Sequence, residues 1–311
     1  MEKGKRFSIV IAVAPNRKTE VLSSLQKMNY GKKRYEVIVE KGTNPSENRN
    51  RGAEKSKGEI IFFVDDDAVV DSEILKKAED FFLKHKKVDI VGGPQLTPKD
   101  EKGFAKISGY AFSSIFGAWK ISNRYAGMKL ILEADETMLT SANLFCRKKV
   151  FKKIKFDFRL FPGEDPKFIS DAKKQGFKVS YSPELIVYHR RRPNFKSLVK
   201  QIYSYGKTRT KKESFRETLK MPFFLVPSIF VIYLFVLIIM IAIGNFYFLI
   251  WIPFILYLIL NLSFSLADAI INRHFTAFFV LPFVYLTIHL SYGLGFLLYS
   301  IRNIFKSNKE I

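Results

Sequence analysis

An α/β fold with a doubly wound, mostly parallel sheet, followed by an apolar helical region, is what this 311-residue sequence predicts. Three observations carry that expectation. Ile60–Val64 is an unbroken apolar run that ends in three carboxylates, Asp65, Asp66 and Asp67. Apolar runs without alternation suit strands covered on both faces, as in parallel sheets. Around this run, short apolar stretches alternate with amphipathic helical patterns, the βαβ order of such a sheet. From Pro222 onward the chain changes character: Pro222–Ile243, Phe246–Ile271 and Thr276–Ile301 are apolar, each longer than the ~20 residues that span hydrocarbon.

Taken in order, Phe7–Ala14 is the first buried strand, ended by the Pro15-Asn16-Arg17 turn. Thr19 is placed to cap a helix with Val21, Leu22, Leu25 and Met28 on one face. Tyr35–Glu40 is the second strand, Lys41–Ser46 a loop, and Glu47–Lys57 a polar helix stopped by Gly58. After the central strand, Ile74, Leu75, Ala78, Phe81 and Phe82 mark a helix, and Val88–Val91 is a strand ending at Gly92-Gly93-Pro94. Phe104–Trp119 is aromatic with few charges, a core helix by default or else a segment touching lipid. Asn143-Leu144-Phe145 leads into a basic helix over Arg147–Lys153, and Gly163–Pro166 turns into a helix ending near Gly176. Lys178–Tyr181 and Glu184–His189 read as strands, the second running into Arg190, Arg191, Arg192 and Pro193.

Charge divides the chain as sharply as hydropathy does. The formal net charge is +22. From Pro222 onward only Arg273, Arg302, Lys306 and Lys309 oppose Asp268 and Glu310, so Met1–Met221 carries +20. Between Arg190 and Lys220 lie eleven Lys or Arg against two Glu, interleaved with Phe195, Leu198, Val199, Ile202, Tyr203 and Tyr205. A basic amphipathic helix suits a membrane surface or an RNA backbone. The apolar segments directly behind it favour the membrane under positive-inside logic. Gly244-Asn245 is then an outside connector and Asp268–His274 lies inside. Three spans put Arg302, Lys306 and Lys309 outside, against that tendency, unless one segment is re-entrant; Pro282 and the Gly293/Gly295 pair make it the last. The lone Cys146 excludes an intramolecular disulfide framework. Phe7–Ala14 has a strand's length rather than a signal peptide's, so the basic domain is expected in the cytoplasm of a multi-pass cell-membrane protein. The expected divisions are 1–192, a sheet domain; 193–221, an interfacial segment; and 222–311, a transmembrane region.

The chemistry concentrates at the acidic triplet. Ligands of open α/β sheets bind at the carboxyl ends of the strands. Adjacent carboxylates repel unless a cation neutralises them, and Mg²⁺ or Mn²⁺ prefers oxygen ligands shared with substrate phosphates. The plainer reading is a solvated acidic turn with Asp71 capping the next helix. At Asp165 the plainer reading is an N-cap with Pro166 at the first helical position.

With these pieces in order, the chain resembles the membrane-anchored family 2 inverting glycosyltransferases of the GT-A fold. The resemblance rests on Asp65–Asp67, on Gly163-Glu164-Asp165, and on YSPELIVYHRRRP from Tyr181 to Pro193. NRNRG at Asn48–Gly52, ANLFCRKKVF at Ala142–Phe151, and the QIYSYG and FFLVPS stretches support it. It implies that Asp65 contacts the nucleoside, that Asp67 holds Mn²⁺ or Mg²⁺ on the diphosphate, and that Asp66 lies between them. It implies Asp165 as general base, with Glu164 holding acceptor or loop geometry, since inverting transfer needs a carboxylate facing the acceptor hydroxyl. His189 completes the metal shell as neutral imidazole, or is simply a polar strand end. Arg190, Arg191 and Arg192 clamp phosphate. Pro15, Asn16, Glu40, Arg49, Asn50, Gly93 and Asn143 complete the implied donor site.

Three departures stand out. Glu40 takes the place of an Asp that often reads the nucleobase, Lys167 stands where acidic residues are common, and the Gln-x-x-Arg-Trp of processive synthases is missing. The expected activity is that of a hexosyltransferase moving one sugar from a nucleotide-sugar, a UDP-sugar first, to a lipid-linked glycan or cell-envelope precursor, with membrane lipid as partner and no nucleic acid. The rivals are a polyprenyl-phosphate hexosyltransferase and a membrane-tethered nucleic-acid-binding protein.

Overall fold

A computed structural model describes residues 5–212, 218–244 and 247–307. Asn245 and Phe246, at the expected connector, and Lys309 and Glu310 lie outside them, as do Glu213, Arg216 and Glu217 of the basic stretch. The chain begins β1 (Phe7–Val13), α1 (Val21–Leu25), β2 (Tyr35–Lys41), α2 (Pro45–Lys55), β3 (Ile60–Asp65), β4 (Ala68–Val70) and α3 (Ile74–Lys84). It continues β5 (Ile90–Gly92), β6 (Gln95–Leu96), α4 (Gly103–Ser113), α5 (Ile115–Ala118), β7 (Asn143–Arg147), α6 (Lys148–Phe151) and α7 (Glu164–Lys174). Then come β8 (Val179–Tyr181), β9 (Val187–His189), α8 (Phe195–Lys212), α9 (Val226–Ala242), α10 (Phe248–Ile271) and α11 (Leu281–Ser307). Two compact units result: Met1–Asp100 with Lys120–Arg190, and Glu101–Trp119 with Arg191–Ile311.

The first unit holds a six-stranded sheet in the order β2-β1-β3-β7-β5-β8. β2, β1 and β3 are parallel, with Ala12 of β1 opposite both Glu40 and Asp65. β7 is antiparallel to both β3 and β5, so the mostly parallel sheet carries a reversed strand near its centre. Asn143–Phe145, expected only to lead into a helix, is thus a central strand, and the basic helix behind it shrinks to Lys148–Phe151. A short apolar run fits a buried strand or a helical lead-in equally well by periodicity. The unbroken apolarity of β3 follows from two covered faces. Ile60, Phe62 and Val64 join one buried cluster, and Ile61 and Phe63 the other. Phe62 stacks on Phe145 at 4.0 Å, while Phe63 meets Phe156 edge-on at 5.2 Å. Each such ring contributes roughly 1.5–3 kcal/mol by burial.

Helix starts correct two expectations. Thr19 does not cap α1, whose N-cap is Glu20 without a side-chain bond. The second helix begins earlier than Glu47, because the Asn44 side chain accepts from Ser46 N and Glu47 N and Pro45 fits the first turn. Asp71 forms a turn ahead of α3 by accepting from Glu73 N at 2.7 Å.

A three-stranded sheet, β4-β9-β6, completes the unit. Its antiparallel β4–β9 register pairs Ala68 with His189. That pairing sets His189 beside the residue that follows Asp67.

Among the described residues of the second unit, Pro222–Ala242 (which includes α9), α10 and Leu281–Arg302 of α11 are three helical stretches long and apolar enough to cross a membrane. The last is unbroken over Leu281–Ser307, so its glycines do not mark a re-entrant turn. They let backbones approach instead. A Cβ on Gly293 would meet Pro227 O, and one on Gly295 would meet Tyr203 O; small residues serve this purpose between membrane helices. The basic helix α8 therefore packs on α11, with Gly206 against Tyr292 O. Pro253 lies inside α10, where Tyr233 OH donates to Ile250 O at 2.6 Å and accepts from Phe254 N at 3.1 Å. Such side chains re-satisfy backbone groups that have no water to turn to. Phe104–Trp119 forms two helices, α4 and α5, and Phe116 stacks on Phe264 at 5.1 Å with His289 Nε2 at 2.9 Å from its carbonyl oxygen.

Candidate active site at the end of the central strand

Two acidic groups a hundred residues apart in sequence converge on one arginine. Asn44 caps α2, and the helix carries Arg49 inward, where its side chain is buried. Its Nη2 donates to Asp65 Oδ1 at 3.0 Å and its Nη1 to Glu164 Oε1 at 2.8 Å. Asp165 Oδ1 lies 3.9 Å from Nη1. The guanidinium also sits over the Phe156 ring at 5.7 Å. A delocalised, permanently charged fork is suited to joining several carboxylates. Burial disfavours the charge on Arg49, but the three acids outweigh it and hold the guanidinium protonated.

The α7 start decides the geometry of the acidic pair. Gly163, at φ 119°, is the N-cap, a left-handed conformation that glycine adopts without a Cβ penalty. Asp165 is therefore not the cap, and Pro166 is not the first helical residue. Glu164 is buried, while the Asp165 side chain is one-fifth exposed. Burial, and then the charge of Asp165, raise the Glu164 carboxyl above its ordinary range, with Arg49 opposing. Asp165 Oδ1 makes no hydrogen bond among the described residues.

Beyond β3 the triplet splits into three environments. Asp66 is buried, its Oδ2 has no hydrogen-bond partner among the described residues, and burial pushes its carboxyl up to about 6. Asp67 is the opposite case. Burial opposes its charge, but the His189 and Arg17 bonds outweigh that and hold it well below the usual carboxylate range. His189 Nε2 lies 3.0 Å from Asp67 Oδ1 and 3.7 Å from Asp65 Oδ2. Its Nδ1 is 2.9 Å from Arg190 O. With Nδ1 turned to that carbonyl, Nε2 is the ring atom that faces the acids; it bonds Asp67 as an N–H donor and would offer its lone pair only to a bound cation. Ligand atoms of Asp65, Asp67 and His189 all lie within 4.8 Å of one another. Two carboxylates and one imidazole fit a divalent ion that accepts oxygen and nitrogen ligands. This group can hold a metal ion.

A family model described as "Glycosyltransferase like family 2" matches residues 3–203, more than half of the chain. The chain belongs to this glycosyltransferase family. Among solved structures, S. aureus TarS 1–349 in complex with UDP-GlcNAc is 15% identical, with 95% of this chain and 91% of that one covered and a TM-score of 0.47. A structure of S. aureus TarS matches at 18% identity and a TM-score of 0.46 over 63% of this chain, spanning 39% of that protein's length. The mannosyltransferase PcManGT from Pyrobaculum calidifontis, in complex with GDP-Man and Mn²⁺, is 12% identical over 68% of this chain and 64% of that one, with a TM-score of 0.46. No curated protein matches the chain.

In this glycosyltransferase the other expected donor residues fall into distinct roles. Pro15 and Asn16 form the turn after β1, closed by Arg17 N donating to Ala14 O at 3.2 Å. Glu40 has both oxygens engaged, by Lys55 at 2.6 Å and Arg51 at 3.3 Å. Asn50 exchanges two bonds with the Phe156 backbone, at 2.9 and 3.0 Å. Asn143 donates to Leu185 O at 2.6 Å and Pro94 O at 3.3 Å, and a Cβ on Gly93 would strike Leu185 O. These residues hold neighbouring segments together. The arginine run is divided: Arg190 pairs with Asp100 at 3.0 Å in the first unit. Arg191, above the Phe112 ring, and Arg192, exposed, belong to the second. Nothing in the local sequence singles out Arg17 for the site, and no motif assigns Arg49 its three acidic partners.

Replacing Arg49 by Met should destabilise the glycosyltransferase by about 3–5 kcal/mol, because it strands buried Glu164 without its partner. The loss should be larger near pH 8 than near pH 5. Glu164 titrates above the ordinary range, so at the lower pH it takes up a proton and ceases to be a lone buried charge. Denaturant midpoints at the two pH values check this, and equal losses would contradict it.

Proposed function

We propose that this glycosyltransferase is an inverting, membrane-bound hexosyltransferase. It moves a single sugar from a nucleotide-sugar, a UDP-sugar first, to a hydroxyl of a lipid-linked glycan or cell-envelope precursor. One observation carries the reading: through Arg49, the donor-side carboxylate Asp65 and the helix-start acids Glu164 and Asp165 share one site. Inversion requires a base on one side of the sugar and a stabilised leaving diphosphate on the other.

In this reading Asp165 receives the acceptor hydroxyl's proton as the oxygen attacks the anomeric carbon. Glu164 and Arg49 fix the approach of that carboxylate. Asp65, Asp67 and His189 would hold Mn²⁺ or Mg²⁺, which would offset the negative charge of the leaving diphosphate. Three apolar helices and the basic α8 support the membrane-bound part of the proposal, with the first unit on the cytoplasmic side.

The test uses the detergent-purified chain with Mn²⁺ and UDP-, GDP- and dTDP-sugars, following nucleotide release and the anomeric configuration of the product. Release from one donor with inverted product supports the proposal. A retained configuration, or no release from any of them, refutes it.

Surface docking has its own test. Lys196 and Lys200 are exposed on α8, and a cation near an anionic lipid surface is worth about 1 kcal/mol. Reversing both charges should slow acceptor turnover in anionic liposomes while leaving turnover in detergent near wild type. Equal losses in both media would count against docking.

A further inference from the structure

Arg17 stands at the donor end of the site without an assigned part in it. The turn ahead of it sets the direction of its backbone. Pro15 at the second position of the Ala14–Arg17 turn and Asn16 at φ 64° in the third carry the signature of a type II turn. That turn folds Arg17 back over the carboxyl end of the central strand. Its Nη2 donates to Asp67 Oδ2 at 2.7 Å, and its Nη1 lies 3.3 Å from Asp66 Oδ1.

The two oxygens of Asp67 therefore face different cations. Oδ1 is turned to His189, and hence to the group able to hold a metal, while Oδ2 is held by Arg17. The Arg17 side chain is half exposed. An ion pair with one partner this exposed adds little to stability, so stability alone gives a poor reason for it. A guanidinium beside a metal position is in place to take phosphate oxygens in its planar fork. A divalent ion held by Asp67 would draw charge away from the carboxylate and weaken its hold on Arg17. An arriving diphosphate then offers the guanidinium a stronger anion within reach of a flexible side chain.

We propose that Arg17 is a diphosphate ligand of the donor site, parked on Asp66 and Asp67 until donor binds and then transferred to the phosphate oxygens. This rests on the donor-site reading above and adds a residue to it.

Calorimetry on the detergent-purified full chain tests it with three probes: Mn²⁺ alone, then UDP and GDP in saturating Mn²⁺. Arg17→Met should bind Mn²⁺ at least as tightly as wild type, since a cation beside Asp67 has been removed. It should bind the nucleoside diphosphate roughly 10–100-fold more weakly. Arg17→Lys, which keeps the charge and loses the fork, should recover part of that affinity. Retained Mn²⁺ binding in the same sample shows that the variant site is folded. Unchanged nucleotide affinity in Arg17→Met overturns the proposal. So does Mn²⁺ affinity that falls together with nucleotide affinity, which assigns Arg17 to orienting Asp67. If neither UDP nor GDP binds the wild type, the donor-site reading itself falls, and this proposal with it.

Discussion

Asp165→Asn should give a normally folded enzyme whose turnover falls by roughly 10²–10⁴-fold, with donor binding preserved. The α7 geometry makes this a clean substitution. Gly163 is the N-cap, so the helix start does not depend on Asp165. Losing one first-turn carboxylate costs only ~0.3–1 kcal/mol of favourable interaction with the helix dipole. Chemically the change is large, because an amide cannot accept the acceptor's proton. Asp165 has lone-pair capacity to act as a base, since its buried Oδ1 is committed to no hydrogen bond among the described residues, Arg49 stands 3.9 Å away, and the side chain as a whole is one-fifth exposed. Glu164 offers an internal control. Burial first, then the charge of Asp165, raise its carboxyl. Removing that charge should lower the Glu164 titration in a carbon-13 NMR experiment while turnover collapses. Near wild-type transfer to a hydroxyl acceptor by the Asn variant would show that Asp165 is not the base. Transfer that survives only with a polyprenyl-phosphate acceptor would favour that rival, because a phosphate oxygen needs little help from a base.

Asp67→Ala should lose metal-dependent donor binding, by more than the roughly 10–100-fold that loss of a partner behind a metal ligand typically costs. The electrostatics explain why Asp67, and not Asp66, carries the larger effect. His189 and Arg17 hold the Asp67 carboxyl well below the usual range against its burial, so it is ionised and ready for a cation throughout the neutral range. Asp66 is pushed up to about 6 by burial and presents charge less readily. Metal ligands bind in their deprotonated forms, so Mn²⁺ affinity should weaken as the solution is acidified. Isothermal titration with Mn²⁺ and nucleotide, with and without EDTA, reads both effects. Full donor affinity in EDTA, unchanged by the substitution, would remove the metal from the site.

Much of the sheet was legible because strand burial leaves a local mark. Ile60–Val64 could be apolar on both faces only in a sheet covered on both sides, and the two clusters around Phe62 and Phe63 show that covering. The three apolar helices were legible for the same reason, since length and hydropathy are local. β7 was not. Its five residues, Asn143–Arg147, leave too short a pattern to separate a strand from the approach to a helix. The starts of α2 and α7 depended on the side chain of Asn44 and the φ of Gly163. Neither is fixed by periodicity.

The sequence by itself determined where the acids stand on their own elements: three at the end of a buried strand, two at the start of a helix. It determined the basic and apolar halves as well, because composition acts without regard to fold. Tertiary structure decided which of these groups meet. The β4–β9 register sets His189 beside the residue after Asp67. The inward face of α2 puts Arg49 between Asp65 and Glu164, and the Pro15-Asn16 turn lays Arg17 on Asp67. Each of these contacts joins residues far apart in the chain. Their positions depend on strand pairing and on burial of a charge among opposite charges, and both are properties of the packed molecule rather than of any local stretch.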